Sequence, residues 1–476
     1  MKPHPVQPLL PQAVAQIHLR PRPGPAVPLL ALTPLLTLLA GCVGVSTPGE
    51  RQSRRDQEFV EQQFRPAGQR PVLPRLDPST PLQDFLLFAV LNHPQVEATY
   101  FDWVASVRRI TVERSLPDPR LTFQADITNM VMSLMPGLMM EFPGPGKLRA
   151  AADVATAESE GRYFAFEWSV LQTAFTLRKA YYELHFLEAR IGVNQATLAL
   201  MGEVERLART RNEVGQGSLQ DVLRAQIEQE RLTTEIANLE DSRLPLTSQF
   251  KAALGLEDSD HTPPLPRFES TRFDLSSDQL LASAVARNPR LRAMEAEVRR
   301  ADASLRLAYQ GRIPDFSAGL MVDVKSPPYL FRPQAGMTLP IWRDKIAAQI
   351  AAAQAGKRSA EARLNSDQIM LAVGFAEKSF LYREAQRTQE LLIQRLLPKA
   401  GQSLAVAQSG FISGKLDFLN LLDAERTLLE FQLAEVEARV QRELALSEIF
   451  LLIAGNPPDR APVLPPRTTP VKERYP

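Results

Sequence analysis

Asp315-Phe316-Ser317-Ala318-Gly319-Leu320-Met321-Val322-Asp323-Val324-Lys325 alternates between two characters. Phe316, Ala318, Leu320, Val322 and Val324 fall on one side of an extended chain, and Asp315, Ser317, Asp323 and Lys325 on the other. A return segment follows, in which Phe331, Pro333, Ala335, Met337 and Leu339 alternate with Arg332, Gln334 and Thr338. Alternation over ~10 residues, apolar on one side and polar on the other, is the signature of a membrane-barrel strand. A soluble sheet with one wet face produces the same pattern, so the surrounding sequence has to decide.

The surroundings occur twice. Upstream, Leu121, Phe123, Ala125, Ile127 and Val131 alternate with Thr122, Gln124, Asp126 and Thr128, and a weaker, more apolar return runs from about Leu134 to Phe142. Phe85–Val90 ending in His93-Pro94 reappears as Leu280–Val285 ending in Asn288-Pro289. Leu116-Pro117-Asp118 matches Ile313-Pro314-Asp315, and Phe142-Pro143 matches Leu339-Pro340. Gly215 with Leu223–Gln226 matches Gly414 with Leu422–Glu425, and Phe250 and Gly255 match Phe450 and Gly455. A period near 200 residues is too long for a solenoid repeat and identifies a duplicated domain.

After each strand pair comes a long stretch without proline, 146–244 and 346–397, rich in Ala, Leu, Glu, Arg and Gln. They predict helices over ~82–115 and from Lys147 to about Val214, a turn at Gly215-Gln216-Gly217 and a further helix to Leu254, then helices over ~278–312, ~344–413 and ~416–454, with Pro398 kinking the second long one. Each long helix runs for ~100 Å at 1.5 Å per residue, and the two shorter ones beside it can stack end to end along it. A spacing near 3.5 in Leu187, Ile191, Leu198, Met201 and Ala208, and in Leu429, Leu433, Val436 and Val440, suits paired rods. Four strands cannot close a spanning barrel, because the smallest have eight, and unpaired edges cannot sit in lipid. Strands that span a bilayer therefore require sister copies. Three chains give a twelve-stranded barrel continued by twelve helices.

The composition fits this reading. Of 476 residues, 55 are basic and 54 acidic, a net charge of +1 that argues against a nucleic-acid partner. No run of eighteen apolar residues follows residue 45, which excludes a polytopic helical membrane protein. The single cysteine, Cys42, permits no intrachain disulfide. It ends a leader with Arg20 and Arg22, an apolar run Ala26–Ala40 and then Gly41, a secretory layout in which residues 1–41 are removed. Leu39-Ala40-Gly41-Cys42 resembles the bacterial lipoprotein box, which implies a covalent lipid on Cys42 and, with Val43 following, sorting to the outer membrane. No other cofactor is expected. Residues 43–77 are polar and read as an irregular, extended part of a lipidated extension over 42–79, and the proline-rich tail 456–476 reads likewise.

At the predicted helix turns stand Val214-Gly215-Gln216-Gly217-Ser218-Leu219-Gln220-Asp221-Val222-Leu223-Arg224-Ala225-Gln226 and Ser413-Gly414-Lys415-Leu416-Asp417-Phe418-Leu419-Asn420-Leu421-Leu422-Asp423-Ala424-Glu425. With these segments the chain resembles the TolC-like outer-membrane efflux channels, over about residues 80–455. Phe142-Pro143-Gly144-Pro145-Gly146-Lys147-Leu148-Arg149 is reminiscent of their heavy-metal branch. The resemblance implies a mainly α fold with a membrane β-barrel and an α-barrel tunnel. Its repeats lie at 80–255 and 278–455 and are joined by a linker at 256–277. It further implies a homotrimer in a Gram-negative outer membrane, and passive export with a periplasmic adaptor and an inner-membrane pump. No phosphate loop powers transport here: Gly146-Lys147 lacks both the upstream glycine and the following Ser/Thr.

Gly215 and Gly414 suit positive φ at a helix C-cap. The resemblance adds adaptor docking at Gly215, Gln216, Gly414 and Lys415. It also implies that Asp423 rings the periplasmic entrance, with Asn420 at the second acidic position and Asp417 in support. Asp221 matches a residue that pairs with a partner-loop arginine, a position held here by Leu416 beside Lys415. The bland reading of these aspartates is helix caps and solvated coil positions. Met130, Met132, Met135, Met139 and Met140 offer thioethers that bind Cu(I) or Ag(I) and equally fill apolar space. Tyr163, Phe164, Phe166 and Trp168 suit either a membrane-interface belt or a core. The five histidines show no ligand spacing and no catalytic constellation is visible, so an enzyme is not expected. The competing reading is a lipid-anchored periplasmic coiled-coil scaffold or adaptor without a pore. It leaves the duplicated strand pairs unexplained.

Overall fold

The computed structural model describes residues 46–127, 131–270, 278–453 and 460–465, all within one compact unit. The leader with Cys42 lies outside the described residues, as do Met130 and the end of the tail. The first half consists of α1 (Pro48–Phe64), α2 (Leu82–Asn92), α3 (Pro94–Arg114), β1 (Arg120–Ile127), β2 (Val131–Phe142), α4 (Lys147–Glu213), α5 (Leu219–Asp241) and α6 (Arg243–Ala253). The second consists of α7 (Asp278–Arg287), α8 (Pro289–Gln310), β3 (Phe316–Asp323), β4 (Leu330–Met337), α9 (Arg343–Leu391), α10 (Leu397–Ile412) and α11 (Phe418–Leu452). From α2 onward the order helix, helix, strand, strand, long helix, helix is the same in both halves; the second-half counterpart of α5 and α6 is the single helix α11.

Both helical leads break at an X-Pro step, where the residue before proline is driven out of the helical region. The breaks are capped alike. His93 Nδ1 accepts from Gln95 N at 3.1 Å, and Asn288 Oδ1 accepts from Arg290 N at 2.9 Å. The α4 helix is unbroken over 67 residues, ~100 Å, with α3 and α5 packed along it. Its counterpart passes Pro398 through a π-helical turn, Leu392–Leu396, in which Leu397 N reaches back to Leu392 O. Pro398, where a kink is expected, stands just past this wider turn, at the start of the next helical segment. The halves join where α4 packs on α8 and α11.

The strands form one antiparallel sheet in the order β1-β2-β3-β4. Register fixes its faces. Leu121, Phe123 and Ala125 share one with Leu134, Leu138, Met140, Phe316, Ala318, Leu320, Phe331, Ala335 and Met337. Thr122, Gln124 and Asp126 share the other with Ser133, Met135, Met139, Glu141, Ser317, Met321, Asp323, Arg332 and Gln334. The apolar face is the exposed one, with Phe123 at 68% and Phe331 at 62%. Val131, read above as the end of the first strand, opens the return strand, past an irregularity in register between Asp126 and Ile127.

Two irregular readings are corrected. Residues 48–64 form α1, capped by Thr47, whose hydroxyl accepts from Glu50 N at 3.1 Å, with Pro48 in the first turn. It is held by Val60 and Phe64, which pack on Val96, Tyr100, Trp103 and Phe166. The Phe64 ring lies edge-on to Tyr100 at 5.0 Å and to Phe166 at 5.7 Å. The buried Glu50 accepts from Arg114 at 2.5 Å and from Thr111 at 2.8 Å. Part of the tail is also packed: Leu464 N donates to Tyr163 Oη at 2.9 Å and Ala461 enters the same aromatic cluster. Tyr163 and Phe166 are therefore core residues and not a belt, while Phe164 and Trp168 are half-buried.

Candidate functional site

The two helix turns are built alike and lie side by side. After α4, Gly215 takes φ +72° and Gln216 N donates to Arg211 O at 2.8 Å. After α10, Gly414 takes φ +74° and Lys415 N donates to Gly410 O at 2.8 Å. In each case a left-handed glycine lets the chain reach back and satisfy an orphan helix carbonyl. Three residues later each next helix is N-capped. Ser218 Oγ accepts from Gln220 N at 3.1 Å, and Asp417 Oδ1 accepts from Asn420 N at 3.0 Å.

Beneath the turns a single cluster joins all four helices: Met201, Val204 and Ala208, Val222 and Ala225, Leu404, Ala407 and Phe411, Phe418 and Leu421. Between the turns lies a cleft of about 790 Å³. Gly215, Gln216, Asp221, Gly414, Lys415, Asp417 and Asn420 all line it. Asp423 does not; it is exposed on α11, in line with Asn420 and Thr427. Asp417 and Asn420 are committed to each other, since Asn420 Nδ2 also donates to Asp417 Oδ1 at 2.6 Å. Val214, Leu219, Ile412 and Leu419 are apolar and exposed around the rim.

Two groups at this site escaped the sequence reading. Arg211 ties the turns together: its guanidinium donates to Phe411 O of the second turn and to Gln216 O of the first at 3.1 Å, and stands 4.5 Å from the centroid of the Phe411 ring. Leu416 folds over Gly410; a Cβ on that glycine would lie 2.6 Å from Leu416 Cδ1. The second group is a pair of carboxylates on neighbouring helices. Glu228 accepts from Arg426 at 2.8 Å, while Glu425 is only 2% exposed and its Oε2 has no partner among the described residues. Burial, reinforced by Glu228, pushes the Glu425 carboxyl up to about 7. The only sequence signal for either group was position, Arg211 just before a turn glycine and Glu425 on the coil face.

Of the methionines, Met140 lies on the apolar face of the sheet, and Met135 and Met139 on the polar one. Met132 sits at the irregular start of β2, where the register of β1 shifts. Among the described residues no cluster of three or more His, Cys, Asp or Glu is placed to hold a metal ion, and no helix is long and apolar enough to cross a membrane.

Known proteins share this fold. The model of the outer membrane efflux protein family matches residues 89–256 and 280–455. Outer membrane protein OprJ of Pseudomonas aeruginosa is 24% identical over 354 residues, covering 70% of this chain and 68% of that protein. The cobalt-zinc-cadmium resistance protein CzcC of Cupriavidus metallidurans is 27% identical over 255 residues, 51% of this chain and 57% of that protein. The solved outer-membrane channel OprN superposes with a TM-score of 0.70 at 18% identity, covering 79% of this chain and 90% of that one.

Proposed function

The chain belongs to the outer membrane efflux protein family, and on that premise we propose that three copies close the sheet into a twelve-stranded barrel above a helical tube, the outer-membrane channel of a tripartite efflux system. One observation carries the proposal: a four-stranded sheet whose apolar face is exposed and whose edge strands, β1 and β4, have no partner among the described residues. In lipid the apolar face is solvated and the edges are not, so β4 of one copy pairs with β1 of the next. Exposed apolar residues on the helices, Ile369, Val373 and Phe380 on α9 and Leu223 and Ile227 on α5, supply the seams of the tube.

A lipid on Cys42 is proposed from Leu39-Ala40-Gly41-Cys42 alone. The cleft between the turns, with its apolar rim, is where the adaptor docks. Three copies of Asp423 form a carboxylate ring at the periplasmic mouth that favours cations. Asp417, spent as a helix cap, contributes less. The inner-membrane pump supplies the energy and selects the cargo, metal ions or small toxic molecules.

The test compares two arginines introduced on opposite faces, at positions one step apart in register on the neighbouring strands β3 and β4. Leu320→Arg puts a charge toward lipid, costing ~2–4 kcal/mol near the midplane, while Gln334→Arg faces water. The expected result is loss of heat-modifiable trimer and of planar-bilayer conductance in the first and retention of both in the second. Equal tolerance of the two substitutions overturns the membrane assignment.

A further inference from the structure

A second cavity, of about 410 Å³, lies where α1, α3, α4, α8 and the packed part of the tail meet. Its longest wall is a stripe of α4, Ser159, Glu160, Tyr163, Phe164 and Glu167, whose ends stand ~12 Å apart along the helix axis. The α8 helix runs the other way along this stripe and makes its two ends different. At one end Arg299 closes on Glu160, with Nη2 and Nε at 2.8 and 2.9 Å from Oε2. At the other, Arg292 lies over the Phe164 ring, 5.3 Å from its centroid. There the side chains of Arg292 and Glu167 make no hydrogen bond or ion pair among the described residues. Burial pushes the Glu167 carboxyl up to about 7, with Arg292 drawing it part of the way back. Between the ends the wall is aromatic: Tyr163 stands edge-on to Trp103 at 5.1 Å and to Phe164 at 5.3 Å. Ser159, only 1% exposed, leaves its hydroxyl without a partner among the described residues.

We propose that this cavity binds an elongated organic cation, an aryl- or alkylammonium ion, with its apolar part against Trp103, Tyr163 and Phe164 and its ammonium at Glu167. The volume falls within the ~300–1,000 Å³ of small-molecule sites, and such sites pair apolar walls with a few placed polar groups. Aromatic faces attract a cation as well as a hydrocarbon. The sign of the ligand follows from the charges that line the cavity, Asp56 of α1, Glu160 and Glu167 of α4, and Arg292 and Arg299 of α8. Arg299 is spent on Glu160 and Arg292 already lies on a ring, so the group in want of a partner is the Glu167 carboxyl. An anion seeking Arg292 would have to lie beside that carboxyl. Binding of the ammonium draws the proton off Glu167 into the buffer, while Arg292 opposes the ligand and holds the affinity down. The Tyr163 phenol accepts from Leu464 N and is not in want of a partner.

The experiment is calorimetric titration of the full-length protein in detergent with phenylbutylamine, phenylbutanol and phenylbutyrate, which share one frame and differ in the charge of the head. It stands or falls independently of transport. The amine is expected to bind tightest, and about tenfold more tightly at pH 8 than at pH 6, as Glu167 passes from mostly protonated to mostly ionised. Glu167→Gln, which keeps the shape, is expected to weaken the amine about tenfold at pH 8, to remove its pH dependence and to leave the alcohol unchanged. Arg292→Gln should bind the amine several-fold more tightly. Glu437→Gln removes the same charge from an exposed position on α11 outside the cavity and should bind as wild type does. Thermal melts report the fold of each variant; should Glu167→Gln misfold, the wild-type pH series and the ranking of the three probes decide. The inference is overturned if Glu167→Gln binds the amine as wild type does, if wild-type affinity is the same at both pH values, if phenylbutyrate binds more tightly than the amine, or if no probe binds.

Discussion

Removing the guanidinium that spans the two turns tests whether Arg211 couples them. Arg211→Met keeps most of the stem and deletes the hydrogen bonds to Phe411 O and Gln216 O and the stacking on Phe411. A hydrogen bond from a charged donor contributes ~1.5–3 kcal/mol when buried, but here both acceptors lie at the rim. Phe411 O also keeps its bond from Gly414 N at 3.1 Å, so the substitution orphans no carbonyl there. Arg211 Nε is buried without an acceptor among the described residues, which offsets part of the gain. Stacking adds ~0.5–1 kcal/mol. The net is about 2 kcal/mol, or roughly thirtyfold in the opening equilibrium of the second turn. Amide exchange read by mass spectrometry on peptides over 409–417 should accelerate by about that factor, while peptides over 438–450, high on α11, stay unchanged. Exchange at 409–417 within twofold of wild type refutes the coupling.

Gly215→Ala and Gly414→Ala should each lower stability by only ~1 kcal/mol, the backbone cost of a left-handed alanine, because a Cβ at either site meets open space or Arg211 Nη2 at 3.6 Å. Gly255→Ala, at φ +72° with a Cβ only 2.8 Å from His93 Cα, should cost more, and thermal melts in the reverse order contradict the geometry. If these alanines leave the trimer intact yet abolish pump-dependent resistance, the docking role of the turns is supported. Loss of the trimer points to capping alone. The raised carboxyl of Glu425 means that the folded chain holds its proton more tightly than the unfolded chain does. Its contribution is therefore complete below about 4.5 and is lost as pH rises toward about 7, by about 3 kcal/mol at most. Glu425→Gln should flatten the fall in melting temperature between pH 5 and 8, and an unaltered slope rejects the assignment. Asp423→Ala should weaken the cation preference of the conductance, whereas unchanged selectivity removes Asp423 from the gate.

What could be read from the sequence and what could not separates along physical lines. The strands were legible because one face is apolar and the other polar, so hydropathy alternates with the chain's own period of two. The turns were legible because a left-handed residue and a helix cap each demand a particular chemistry, glycine and then Ser218 or Asp417. The α1 helix was not, because its inward positions, Glu50, Ser53, Gln57, Val60 and Phe64, are mostly polar. Helical spacing survives there but hydrophobic spacing does not. Nor was the packing of Met321 over Gly137 visible, since the two meet only through a pairing between strands more than a hundred residues apart. Glu425 shares the difficulty, since nothing in its neighbourhood along the chain distinguishes a buried carboxyl from a solvated one.

The π-helical turn at Leu392–Leu396 has a consequence for the second tip. A π turn holds one residue more than an ordinary one, and each residue advances a helix by ~100° of azimuth. Everything C-terminal to it, including Leu404, Ala407 and Phe411 with their inward aim, inherits that phase. Deleting one residue from this turn would regularise the helix and keep the tip's phase, whereas deleting one from the α-helical stretch below it would swing the tip about a quarter-turn, carrying Phe411 off the axis on which Arg211 waits. The rotational setting of the second tip is thus preserved by a wide turn some fifteen residues above it.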